Sequence, residues 1–150
     1  MSAPDARSIV ITGATNGMGR ALAEELIARG LSVWGCGRTA DDIARLNELR
    51  PGCFRVLDIQ DEAGLARWAA ALDADGHVPD LLINNAAVMH WLAPFCDMPA
   101  EAFDRTVDIN LKGAARVLRA FLPALNGRML SIGRDGTLQC LTFTAKSETL

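Results

Sequence analysis

Short apolar runs alternate along the chain with stretches in which apolar residues return every third or fourth position. Ser8-Ile9-Val10-Ile11 predicts a first strand, and behind it Leu22, Ala23, Leu26 and Ile27 share a helical face that Gly30 brings to an end. Leu31 to Cys36 predicts a second strand. Thr39 then caps a helix with apolar positions Ile43, Leu46 and Leu49, which Pro51-Gly52 breaks. Cys53 to Leu57 reads as a third strand, and Asp61 caps a helix whose Leu65, Trp68, Ala69 and Leu72 fall on one side. Asp80 to Asn84 is apolar without alternation, as in a strand covered on both faces. A long helix from Pro99 to Leu122 lines up Phe103, Val107, Leu111, Ala114, Ala115, Leu118 and Phe121, and Arg128 to Ile132 is a fifth strand. Strand and helix in steady alternation predict an α/β layer domain.

Between the first strand and the first helix lies Thr12-Gly13-Ala14-Thr15-Asn16-Gly17-Met18-Gly19. Glycines there let backbone approach an anion, and the free N–H groups of the helix's first turn point at it with the positive end of the dipole. Composition narrows the ligand. Half of the 150 residues are apolar and the net charge is -3, which gives no basic field for nucleic acid or anionic lipid. No apolar stretch is long enough to predict a membrane span. The four cysteines, Cys36, Cys53, Cys96 and Cys140, show no C-x-x-C pair and no secretory leader precedes them, so they read as reduced, mostly buried thiols of a cytoplasmic protein without a metal site.

The glycine loop, Asp58-Ile59 after the third strand, Asn84-Asn85-Ala86-Ala87 after the fourth, and Asn110-Leu111-Lys112-Gly113 in the long helix stand in order at matching junctions. With these four motifs the chain resembles the short-chain dehydrogenase/reductase family from Ser8 to Ile132. The resemblance implies a Rossmann-type doubly wound parallel sheet, strand order 3-2-1-4-5, without the family's C-terminal strands and helices, and one dinucleotide-binding domain over residues 1–150. It implies cofactor contacts at Gly13, Thr15, Asn16, Gly17, Met18 and Gly19. Asp58 would reach the adenine amino group, Ile59 would border the ring, and Asn85, Ala86 and Ala87 would pass the ribose. Ala87 replaces the family's usual glycine, a mild intrusion at negative φ and a worse one at positive φ. Asn110 matches an asparagine that holds a water in a proton relay; its other reading is an exposed polar residue. His90, Trp91, Phe95 and Met98 follow the fourth strand where substrates sit, and ordinary loop packing accounts for them equally well.

The end of the second strand speaks to cofactor choice. Enzymes of the unphosphorylated dinucleotide place an acid there to hold the ribose hydroxyls, whereas this chain has Gly37 followed by Arg38, suited to a 2′-phosphate. NADP(H) is therefore expected over NAD(H), with Asn16 counting against it because it is neutral where phosphate-preferring relatives often carry a base.

The family's acid/base chemistry needs a tyrosine, and the chain has none. Four residues before Lys146 stands Thr142, and Gly133 and Arg134 occupy the expected serine positions, with Ser131 three places early. Lys146 reads either as a displaced catalytic lysine or as a solvated one. Residues 133–150 show no family pattern and read as an unrelated tail of the kind a frameshift or truncation leaves. By family the chain is an oxidoreductase exchanging hydride with a small carbonyl or alcohol; as it stands it is expected to bind the dinucleotide without turnover. The alternative is a non-catalytic binding protein, or a subunit pairing with itself or a complete relative through helix 99–122.

Overall fold

The computed structural model describes residues 8–89, 92–125, 128–132 and 138–142, the last two segments by their backbone. Strand β1 (Ser8–Thr12) is followed by α1 (Gly17–Ala28), β2 (Ser32–Gly37), α2 (Ala40–Leu49), β3 (Phe54–Val56), α3 (Glu62–Ala74) and β4 (Leu81–Asn84). Beyond a short 3₁₀ turn at Phe95–Asp97 come α4 (Ala100–Val107), α5 (Ala114–Phe121), β5 (Arg128–Ile132) and β6 (Leu138–Thr142). The strands form one sheet in the order β3-β2-β1-β4-β5-β6.

The predicted order 3-2-1-4-5 is present and wholly parallel, with Val10 beside Trp34 on one side and Leu82 on the other. It is also extended. β6 runs antiparallel to β5, Ile132 opposite Leu138, so part of the stretch read as an unrelated tail adds an edge strand to the sheet.

Every residue of β1 is buried, and its side chains alternate between two cores. Ile9 and Ile11 join Val33, Ile83, Ala23, Ile43 and Leu46 beneath α1 and α2. Val10 joins Trp34, Leu82, Leu65, Trp68 and Phe121 beneath α3 and α5. The Trp68 and Phe121 rings meet edge to face at 5.1 Å and hold α3 to α5, and Arg119 reaches Glu62 at 2.7 Å across the rim of that contact.

Helix ends follow the sequence signals with one exception. Gly30 donates to Ile27 O and Leu31 to Leu26 O, closing α1. The Asp61 carboxylate accepts the Gly64 N–H at 2.9 Å and opens α3. Thr39 stands at the start of α2 without a side-chain capping bond. Leu49, predicted on the apolar face of α2, is exposed: the last turn docks on the sheet through Leu46 and through Asn47, whose amide bonds Phe54 N–H and O, and Leu49 ends the helix beyond that contact.

The predicted single helix 99–122 is interrupted by a π turn at Asp108–Gly113, between α4 and α5. The wider turn changes which residues face inward. Ile109, Gly113, Val117 and Phe121, four apart, are buried, whereas Phe103 and Leu111 from the predicted stripe are 47% and 66% exposed. Among the described residues no helix is long and apolar enough to cross a membrane.

Candidate functional site

The chain leaves β1 through Gly13, at φ +68°, and enters α1 at Gly17, at φ +54°. Asn16 sits at the helix N-cap and its side-chain oxygen accepts the Gly17 N–H at 2.7 Å. The first helical bond runs from Arg20 N to Asn16 O, so the N–H groups of Met18 and Gly19 in the first turn have no intrahelical acceptor. Gly19 packs this turn onto the loop: a Cβ there would overlap Gly13 O and the Asn85 amide.

The segment after β4 is held by side chains. Thr12, fully buried, accepts the N–H groups of Asn85 and Ala86 on its hydroxyl, each at 3.1 Å, and donates to Asn84 Oδ1 at 3.3 Å. That saturates a hydroxyl. Asn85 Nδ2 donates to the carbonyls of Thr12 and Gly13, and Asn84 Nδ2 to Ala114 O at the foot of α5. Asn110, in the π turn, is exposed, yet both ends of its amide are engaged: Oδ1 accepts Val88 N–H at 2.8 Å and Nδ2 donates to Val88 O at 2.9 Å.

Between these segments opens a cleft of about 400 Å³ at the carboxyl ends of β1 to β4, where the chain's winding reverses between β1 and β4. Gly13, Thr15, Asn16 and Gly17 form one wall, and Asn85, Ala86 and Ala87 face them. Arg38, Asp58 and Ile59, also predicted, line it at the ends of β2 and β3. Arg38 is exposed and makes no side-chain hydrogen bond or ion pair among the described residues, whereas Arg20, Arg29 and Arg119 are each bonded to a glutamate. The Asp58 carboxylate accepts the Gln60 N–H at 2.9 Å, so it shapes its own turn as well as lining the cleft.

The residues matched by known proteins run through this cleft. The family model described as short chain dehydrogenase matches residues 7–134. The chain belongs to the short chain dehydrogenase family. It is similar to an NADPH-dependent pterin aldehyde reductase of Arabidopsis thaliana, 36% identical over 85% of this chain and 54% of the relative. It is also similar to human L-xylulose reductase, 39% identical over 74% of this chain and 44% of that one. A serine dehydrogenase structure from Escherichia coli superposes with a TM-score of 0.76 at 28% identity, over 83% of this chain and 61% of that one. The chain spans about half the length of the curated relatives it matches.

The cleft suits the nucleotide cofactor general to the short chain dehydrogenase family. Space beside Gly17 is open, with nothing within 4 Å of where a Cβ would stand; the cleft reaches the start of α1 at Asn16 and Gly17, and it is lined by Arg38, whose guanidinium has no partner among the described residues. No non-glycine residue among those described has positive φ, so Ala87 is the mild departure from the family's glycine. Met18 and Gly19, predicted as contacts, do not line the cleft; Met18 points to solvent and Gly19 is buried as a packing residue. Phe95 and Met98 do not line it either, and Phe95 instead meets Phe103 edge to face at 6.0 Å. His90, Trp91 and Lys146 lie outside the described residues, as do Gly133 and Arg134, and Ser131 is described by its backbone alone.

Sequence reasoning missed Cys36, Leu57, Val88 and Ile109 as lining residues, and named Thr12 only as the first residue of the glycine loop, without its bonds to the β4 segment. Cys36 is buried at the end of β2 and lines the cleft; burial pushes its thiol up to about 12, so it stays protonated and unreactive at neutral pH. Of the other cysteines predicted to be mostly buried, Cys53 is half-buried and Cys96 exposed. Thr12 carried a readable signal, a hydroxyl ending an otherwise apolar buried strand. Val88 and Ile109 carried none, since their place depends on the π turn.

Proposed function

We propose that this chain is the cofactor-holding part of an oxidoreductase that exchanges hydride between a nicotinamide dinucleotide and a small carbonyl or alcohol, with NADP(H) preferred over NAD(H). The observation that carries the reading is the cleft: its glycine wall and helix N-terminus suit a pyrophosphate, and the uncommitted Arg38 beside Gly37 suits an added phosphate rather than free ribose hydroxyls. The NADPH-dependent relative supports the same preference. When bound, the cofactor supplies the hydride. The residues of this chain hold it, and Thr12 and Asn110 keep the β4 segment in place opposite the glycine wall.

The chain has no tyrosine to serve as general acid, and we assign it dinucleotide binding without hydride-transfer turnover on its own. Fluorescence titration with NADPH and NADH tests both halves. NADPH is expected to bind at least about tenfold more tightly than NADH, and Arg38→Ala to erase most of that gap, the scale of one charge-assisted bond. Silence with both nucleotides would refute the binding assignment, and steady oxidation of NADPH in the presence of an aldehyde panel would refute the inactivity.

A second reading is favoured by Phe103 and Leu111, apolar and exposed on the helical run 100–121. It makes the chain a binding subunit that pairs through this face, with itself or with a longer relative. Light scattering tests self-pairing: a concentration-dependent dimer of the native chain, dissolved by Leu111→Glu, supports it, and a monomer at all concentrations removes it.

A further inference from the structure

Gly37 ends β2 at the cleft, buried, and Thr15 of the glycine wall lies directly against it. A Cβ built on Gly37 would overlap Thr15 Cγ2 and stand 2.7 Å from its Oγ1 and 3.0 Å from its Cβ. Rotating the Thr15 side chain moves the first two atoms and leaves the third. A β-branched residue also has few rotamers to offer.

Neither backbone is free to retreat. Gly37 O accepts the Leu57 N–H at 2.9 Å, and Gly37 is paired with Val56 in the β2–β3 ladder. On the opposite side the Ala14 N–H donates to Cys36 O at 2.9 Å, with Ala14 itself fully buried one residue before Thr15. The loop and the strand end are thus tied together across the very gap that a side chain would have to occupy.

We infer that Thr15 is a specificity-determining residue: it closes position 37 to every side chain, and so bars the carboxylate that would select a dinucleotide with free ribose hydroxyls. The chain's cofactor class is set by a pair of positions rather than by Arg38 alone. An acid introduced at position 37 cannot be accommodated until Thr15 is trimmed. This inference rests on the dinucleotide-binding reading for its functional half, and on packing alone for its structural half.

The test is a double-mutant cycle on the full chain, read by thermal midpoint and by NADH and NADPH fluorescence titration. Gly37→Ala is expected to lower the midpoint by about 5 °C or more, and to cost less than half as much in a Thr15→Gly background, which removes all three opposing atoms. Gly37→Asp is expected to bring no gain in NADH affinity, whereas Thr15→Gly with Gly37→Asp gains about tenfold over Gly37→Asp alone. An equal cost of Gly37→Ala in both backgrounds, or NADH binding by Gly37→Asp as tight as by the double variant, overturns the gate. If Gly37→Asp fails to fold and the double variant folds, the gate is upheld; if neither folds, the alanine cycle decides. If the native chain binds neither nucleotide, the functional reading falls while the midpoints still judge the contact.

Discussion

The two segments that face each other across the cleft are built on opposite plans. The loop after β1 works by having little side chain: Gly13 and Gly17 take conformations at positive φ, and backbone N–H groups are left over at the start of α1. The segment after β4 works by being bonded at nearly every residue, through Thr12, Asn84, Asn85 and Asn110. One wall offers unsatisfied groups to a ligand and the other is satisfied in advance. A cleft needs both, because free donors are useful only if the opposite wall stays at a fixed distance.

Substitutions separate the two plans, and the largest loss belongs where they touch. Gly13→Ala places a methyl 2.8 Å from Ala86 Cα at a φ that disfavours it, so urea titration is expected to show a loss of about 3 kcal/mol. A loss below 1 kcal/mol would mean that the walls are not in close contact. Thr12→Val keeps the shape and removes the hydroxyl, stranding the Asn85 and Ala86 N–H groups; about 2 kcal/mol is expected, with Thr12→Ser restoring most of it. Gly17→Ala has the same backbone demand as Gly13 but open space, so it should cost only about 1 kcal/mol and thereby isolate conformation from contact. Asn110→Ala is expected to cost about 1 kcal/mol and to speed hydrogen exchange at Val88 N–H without slowing folding of the β1 side.

The smallest effect concerns Cys36 and appears only in alkali. Its thiol is raised in the fold, from 9.0 to about 12, because burial disfavours the thiolate. The unfolded chain therefore loses that proton first as pH rises, and the contribution to stability is complete below about pH 9 and is lost toward pH 12. Denaturation midpoints of Cys36→Ala should fall less steeply over that window than those of the native chain. With no tyrosine to titrate in the same range, the difference is legible; identical slopes would show that Cys36 is not so enclosed.

The sheet could be read from the sequence because β1 and β4 are unbroken apolar runs and each helix carries its own stop or cap, as Gly30 and Asp61 do. The glycine wall was legible for the same reason: its chemistry is local and glycine announces it. The β4 wall was only half legible. Asn85 and Asn110 were singled out through a resemblance, but their partners, Gly13 and Val88, lie 72 and 22 residues away, and spacing along a chain carries no such distances. The failures at Phe103 and Leu111 share one cause, since a stripe drawn at 3.6 residues per turn assumes a helix that never changes pitch. β6 escaped notice because an edge strand is fixed by its neighbour more than by its own pattern.

The π turn gives the length of this helical run a meaning that its composition lacks. Each residue of an α-helix advances the face by about 100°. The wider turn at Asp108–Gly113 works as an inserted step on a dial, setting α4 out of phase with α5 while α5 stays seated through Val117 and Phe121. Removing one residue there would leave α5 docked and swing all of α4 around its axis, carrying Asn110 away from Val88 in the same movement. The segment therefore behaves like a keyed shaft, whose residue count fixes how the two ends are clocked.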